Sequence, residues 1–423
     1  MNLKFQPSPP DHVPAHRMVD FDMFHIPEGV SDPAEIWHDL VRRGVPEIFY
    51  TPHNGGHWVF LNYADIVEGY RNYSIFSTYQ TPVPPIEPFP VVQPQGVDPP
   101  EHNVFRRLLA PMFTPIAVRG MTAELERRAA VLIDRFVARG ECDFITDFAE
   151  RYPTTMFLYL FGLPEERLDE FLALANTFFR STDPAARAQN ITEIYAVLDA
   201  LFREKERNPG GDIASAIVAA RDAEGRQHPW EDILNCGFLL FVAGLDTVTN
   251  TMAYIWRYLA TTPAARKHFR DRLDDPDAFL LGIEELMRIN AVSNLFRRVT
   301  HDCEYKGVQL RRNDRVILPN TVANRDPRVF KDPQVIDLDR EVNVHLTFGV
   351  GPHRCIGSVL AKREVMASLQ QWLRRIPEFT LAENQPAGSV FGGSVMGFTA
   401  LRLHWDVATG KAAADQSSTI ERM

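Results

Sequence analysis

Four cysteines are all the chain has, Cys142, Cys236, Cys303 and Cys355, and no two of them form a C-x-x-C pair. That excludes a disulfide framework and a structural zinc site, and it matches the cysteine usage of a reducing cytoplasm. Positive charge is also in short supply. The 45 Lys and Arg face 55 Asp and Glu, a formal net charge of −10, so no nucleic-acid surface is expected. An acidic total still leaves room for a local basic patch that docks an acidic protein. Long apolar runs are missing too. Residues 1–19 are rich in Pro and His and lack the apolar core of a signal peptide or anchor. Residues 233–248 are the most apolar stretch, yet they are short for a bilayer and carry Asn235, Gly237, Gly244 and Asp246. A buried central helix is the expectation, with no membrane among the partners. Finally, there is no G-x-G-x-x-G fingerprint for a flavin or nicotinamide, no repeat and no low-complexity tract.

What the chain does have is helical periodicity. Helices are expected over residues 105–139 with a break near Pro115, over 165–180, 191–207 and 277–290, and over 356–375, where Ile356, Leu360, Met366, Leu369 and Leu373 share a face. A long helix is expected over 230–260, started by Pro229 and stopped by Thr262-Pro263. Strand patterns are few. They fall at 58–61, at 304–305 and 308–310 around a Lys306-Gly307 turn, at 316–318 joining that hairpin in a small sheet, and at 400–405. Proline-rich residues 80–100 read as a loop. The fold class expected is mainly α with a small β region, one domain over residues 1–405 and a loose polar tail over 406–423.

Three motifs carry chemistry. The first runs Phe348-Gly-Val-Gly-Pro-His353-Arg354-Cys355-Ile-Gly357. Glycines at 351 and 357 permit a tight turn and close approach, and amides at the start of the following helix favour a thiolate. By itself a lone Cys before a helix is more often a buried structural residue. The second, Ala243-Gly244-Leu245-Asp246-Thr247, puts small and polar residues in the middle of the long helix. Small residues let a flat ligand reach the backbone, and a Thr beside a carboxylate can hold water and relay protons. A kinked core helix is the plain alternative. The third pairs Glu285 with Arg288 at i, i+3 on one helix, with Arg340 following in Asp337-Leu-Asp-Arg340.

Together these strings resemble the cytochrome P-450 family, over residues 20–405, and within it the camphor-hydroxylase branch. The resemblance implies a fold with heme b (iron protoporphyrin IX) buried between the long central helix and the thiolate loop, with Cys355 as the iron's sulfur ligand and Phe348 and Gly357 framing it. It gives Ala243 and Gly244 a place against the heme, Thr247 the task of steadying activated dioxygen, and Asp246 that of gating protons. His102 and Arg106, following Asp98-Pro-Pro-Glu101, and Arg297 and His353 match residues that hold the propionates. Leu295 stands where the camphor hydroxylases have an Asp. Glu285, Arg288 and Arg340 match a structural triad. The reaction implied is hydroxylation of an unactivated C–H bond with O2, by a cytoplasmic monomer that takes electrons from an iron–sulfur ferredoxin and its reductase. A basic face of Arg106, Arg107, Arg354 and Lys362 would dock that ferredoxin. The pocket positions implied are Phe89, Val92, Leu239, Val242, Ser293, Val395 and Met396. The tyrosine that binds camphor's ketone falls near Pro90 here, and no Tyr occurs from Thr81 to Pro100. A terpenoid or norisoprenoid selected by shape is therefore expected. A peroxide-driven enzyme, a heme-based gas sensor and a non-heme metal held by His353 and Cys355 are the rivals.

Overall fold

The computed structural model describes residues 10–84, 90–181, 183–222, 224–386 and 389–407, so Phe89 and most of the expected tail lie outside the described residues. The central helix runs Trp230–Thr261. Pro229 enters it in an extended conformation and Pro263 opens the next helix, Pro263–Arg270. It is the one helix among the described residues long and apolar enough to cross a membrane, and 61% of its apolar stretch is buried inside the protein. Packing is dense where it meets the C-terminal helix Ser358–Arg375. Trp256 crosses Trp372 edge-on at 5.7 Å between ring centroids and stacks on Phe144 at 4.8 Å. The contact docks the far end of the helix that follows the Cys355 loop against the central helix.

The remaining helices follow their periodicity with shifted ends. Residues 105–139 form His102–Leu109, Pro115–Gly120 and Thr122–Asp134, with Thr114 capping the break by accepting from Ala117 N. The helix expected over 191–207 starts earlier, at Pro184, capped by Asp183. Arg151–Leu160 escaped notice because it is buried almost all round, which erases an amphipathic stripe.

Strands are where expectation and structure part. A five-stranded sheet orders Ile48–Thr51, His57–Phe60, Arg315–Pro319, Asn294–Val299 and Phe76–Ser77 side by side. Arg315–Pro319 sits in its middle, parallel to His57–Phe60 and antiparallel to Asn294–Val299. It does not join the hairpin Cys303–Tyr305 and Val308–Leu310, which forms its own two-stranded sheet through left-handed Lys306 and Gly307. The late strand, Arg402–His404, lies between Glu141–Asp143 and Thr380–Leu381.

Two buried glutamates are shifted in opposite directions. Glu285 and Arg288 are both fully buried. Arg288 donates to both Glu285 oxygens at 2.7 and 2.8 Å, Arg340 Nε at 3.0 Å, Asn343 Nδ2 at 3.1 Å and the Asp337 N–H at 3.0 Å. Burial would raise the Glu285 carboxyl, but those donors outweigh it and hold the group below its ordinary range. Glu364, on the helix Ser358–Arg375, is buried, and desolvation pushes it up to about 8. The signs differ accordingly. Stability from Glu285 is present above its unfolded pKa and is lost as pH falls. Glu364 withholds stability as pH rises from 4.5 towards about 8, because ionising it inside the core is unfavourable. Glu285→Gln is expected to lose about 3–5 kcal/mol at neutral pH, since it leaves Arg288 buried and unpaired. Glu364→Gln is expected to raise the melting temperature progressively between pH 5 and 8. Thermal melts across that range check both, and an unchanged slope in Glu364→Gln contradicts the assignment.

Candidate active site

The loop carrying Cys355 closes on itself. Cys355 N donates to Phe348 O at 2.8 Å and Gly349 N to Leu346 O at 2.8 Å, with Gly349 and Gly351 left-handed at φ 63° and 81°. At Gly351 a Cβ would press on Tyr70 O at 3.1 Å and the Arg71 Cα at 3.3 Å, so turn and close approach both require glycine there. Gly357 is different. Its φ is −79°, so it has no need of left-handed freedom; its N–H is directed to the sulfur, and its missing side chain leaves that side of Cys355 open. The cysteine is exposed, although it lies deep enough for desolvation to raise its thiol. The Gly357 amide, Arg106 and Arg354 act against that rise.

A matching opening appears on the central helix. Ala243 and Gly244 are exposed in the middle of a helix whose neighbours Phe241, Leu245 and Asp246 are buried, and a Cβ at Gly244 would meet nothing within 4 Å. One turn on, Thr247 Oγ1 donates to Ala243 O at 2.9 Å. Its proton is thus spent on the backbone, and its oxygen is left as an acceptor. Asp246 is buried; its carboxylate accepts from Arg180 Nη2 and, at 3.0 Å, from Asn250 Nδ2. Asn250 also bonds the Asp246 carbonyl and accepts from Phe398 N. Arg180 and Asn250 were missed from sequence. Asn250 lies at i+4 from Asp246 and was open to inference, but Arg180 is 66 positions away and gave no signal.

A third group collects basic residues. Arg297 lies over the Tyr70 ring at 5.0 Å and donates from Nη1 to Phe296 O, while its Nη2 is buried with no partner among the described residues. His102 and His353 stand 4.3 Å apart between ring centroids. Burial, helped by His353, pushes His102 down to about 4. His353 Nε2 is 3.6 Å from Asp98 Oδ1 and 3.5 Å from Thr78 Oγ1. Asp98 also receives Ser77 Oγ and the Thr78 N–H and hydroxyl. Burial would raise this carboxyl, yet the bonds from His353, Ser77 and Thr78 hold it below its usual range. Leu295 is packed with the apolar cluster of the sheet, so the acid that accompanies these bases comes from Asp98.

An exposed, deep-set cysteine, an open stretch of backbone on a buried helix and an orphaned buried guanidinium fit one kind of guest. It is flat, holds a metal that takes a thiolate, and bears anionic arms. A sequence model of the cytochrome P450 family matches residues 282–388. A probable cytochrome P450 127A1 from Sinorhizobium fredii is 34% identical over 406 residues, spanning 94% of this chain and 96% of the relative. The chain belongs to the cytochrome P450 family. Its cofactor is therefore heme b, and its activity is that of a P450 monooxygenase. A vitamin D3 dihydroxylase from Streptomyces griseolus is 31% identical over 291 residues, 68% of this P450 and 70% of the relative. Among solved structures, CYP101C1 superposes with a TM-score of 0.85 at 30% identity, covering 94% of this chain and all of that one. CYP101J2 superposes at 0.84, also at 30% identity, over 95% of this chain and 100% of its own.

The pocket positions divide. Val92 and Leu239 are buried in the main cluster, with Val242 and Val395 packed on it, and Ser293 bridges to Val395 across a short antiparallel contact. Met396 does not join them. It is fully buried in the cluster of Met23, Trp37 and Phe49, in the irregular step between the Val395 bridge and the strand Gly397–Phe398. The unpaired Arg297 Nη2 yields a measurable outcome. With Arg297 as the expected propionate partner, Arg297→Leu forfeits a charge-assisted bond of about 1.5–3 kcal/mol and is expected to speed heme transfer to apomyoglobin roughly 10- to 100-fold. Transfer at the wild-type rate contradicts the assignment.

Proposed function

We propose that this P450 hydroxylates an unactivated C–H bond of a small hydrophobic substrate of terpenoid or norisoprenoid type. O2 is the oxidant, and the electrons come from an iron–sulfur ferredoxin served by its reductase. Cys355 ligates the heme iron, and Arg297, His102, His353 and Arg106 hold the propionates. Bound heme supplies dioxygen activation. The protein's own residues meter protons. The observation that carries this reading is the Asp246-Thr247 pair beside the exposed Ala243-Gly244 backbone. Thr247 presents an acceptor oxygen to the opening, and Asp246, behind it, reaches the surface side of the helix through Arg180. A peroxide-driven enzyme has no need of such a gate. The rest of the wall, Val92, Leu239, Val242 and Val395, is apolar and Ser293 offers the single hydroxyl, which supports selection by shape.

Docking of the ferredoxin is assigned to the face of Arg106, Arg107 and Arg354, the last two exposed. Lys362 contributes less than its charge suggests. It is paired with Glu284, which also accepts from His345 at 2.8 Å, and it lies over the Phe348 ring. Association governed by such a patch belongs to a cytoplasmic monomer meeting a diffusing partner.

Two measurements test the reading. Cys355→Ser is expected to abolish the red-shifted band of the reduced carbon monoxide complex, and Thr247→Ala to keep substrate binding and reductant consumption while releasing peroxide in place of product. A tightly coupled Thr247→Ala enzyme sinks the proton-gate assignment. For the substrate, a panel of camphor, ionones and plain cyclic hydrocarbons is scored by the low-to-high spin shift. Camphor is expected to bind worse than its apolar analogues, because its ketone loses a hydrogen bond worth about 1–3 kcal/mol. Tightest binding by camphor overturns the shape-selective pocket.

A further inference from the structure

Behind Asp246 lies a small cavity that brings a second carboxylate to the same place. It measures about 20 Å³, enough for one water molecule, and Glu150, Asn176, Arg180, Asp246 and Thr249 contribute polar groups to its wall. Asp246 is the inner member at 6% exposure, and Glu150 is the outer, half-buried one. Glu150 accepts a long bond of 3.4 Å from Asn176 Nδ2 and forms no ion pair among the described residues, while Arg180 is committed to Asp246 and stacked over Phe391 at 4.5 Å. Two acids and one cation therefore share one water-sized space, with the cation bound to the acid farther from solvent.

The Asp246 carboxylate is occupied by donors from Arg180 and Asn250, and it acts as a gate only if the cation lets go and a proton arrives together. We propose that Glu150 is the residue through which Asp246 exchanges its proton with solvent, Arg180 passing between the two carboxylates as it does so. The proposal rests on the assignment of Asp246 as proton gate. In the step, the Glu150 O–H bond breaks, the proton crosses a water in the cavity, and an O–H bond forms on Asp246; nothing is oxidised or reduced. One cation, one anion and one neutral acid are present before and after, so no net charge is created in the interior. Arg180 follows the negative charge to Glu150, which frees Asp246 to hand its proton inward. Glu150 then takes a proton from solvent and Arg180 returns. The groups acting on Glu150 are Arg180, Asp246, Asp143 and Asn176, and the hydroxyl residues Thr154 and Thr249 line the same cavity. Burial, the largest influence, raises its pKa, aided by Asp246 and Asp143 and opposed by Asn176 and Arg180.

The test compares Glu150→Gln, Glu150→Asp and Asp246→Asn in the heme-loaded enzyme. Turnover is driven by a purified [2Fe–2S] ferredoxin and reductase, with whichever panel compound gives the fullest spin shift. Glu150→Gln is expected to lower kcat about tenfold, less than the full general-acid effect because it acts one transfer away, with an unchanged substrate Kd and an enlarged solvent isotope effect. Its kcat is also expected to lose the decline towards high pH, and Glu150→Asp to restore most of the rate. The double variant Glu150→Gln/Asp246→Asn is expected to be no slower than Asp246→Asn, as two steps in series require. Infrared difference spectra of the resting protein give a readout without turnover: the carboxylic C=O band lost in Glu150→Gln should titrate above the ordinary glutamate range. Wild-type kcat and pH profile in Glu150→Gln overturn the proposal, as does multiplicative slowing in the double variant. If Asp246→Asn is slow while Glu150→Gln is normal, the gate stands and Glu150 has no part in it. If both turn over normally, the gate assignment itself falls.

Discussion

Glu285 receives five hydrogen bonds from four residues, and through them the helix Pro276–Ile289 grips the chain from Asp337 to Asn343. Arg288, spread between that carboxylate and the carbonyls of Asn324, Pro333 and Val335, holds the chain that leads into that segment. The loop of Cys355 begins only a few residues later. A flexible approach to that loop would let the sulfur wander, and as the proposed sole protein ligand of the iron it would have no partners to correct its position. Desolvating a Glu and an Arg together costs much of what their attraction returns, so the network is better understood as fixing position than as adding stability.

The central helix answers a different constraint. It must be apolar enough to anchor the core and yet expose backbone at Ala243 and Gly244, keep a hydroxyl at Thr247 and bury a carboxylate at Asp246. The structure places these in one turn and a half and compensates each. Thr247 is bonded to its own helix, Asp246 to Arg180 and Asn250, and the aromatic packing of Trp256 lies two turns further on, clear of the polar stretch. Polarity and packing are separated along the axis of one element.

Much of this was legible in the residues. The thiolate loop, the central helix with its polar interruption and the Glu285-Arg288 pair each place their partners within a few positions, and local spacing carries that information. What stayed hidden depends on distant chain segments. Arg180 meets Asp246, Asp98 meets His353, and the strand Asn294–Val299 buries Arg297, none of which any periodicity could report. Val316 to Leu318 reads as strand in the sequence, but an all-apolar run says that a strand is central without saying in which sheet. Val395 and Met396 are adjacent, yet they pack in different apolar clusters, which local spacing does not report.

That last detail has a wider bearing. Val395 packs on the main cluster and Met396, its neighbour, on the cluster of Met23, Trp37 and Phe49, so at this point a single residue separates the proposed pocket wall from the second cluster. Core packing transmits volume changes with little loss. Substitutions around Met23, Trp37 or Met396 can therefore displace Val395 from behind and reshape the cavity without altering any side chain that touches the substrate. Divergence in substrate choice within such a scaffold need leave no trace among the lining residues, and its record would lie instead in an N-terminal segment remote from the chemistry.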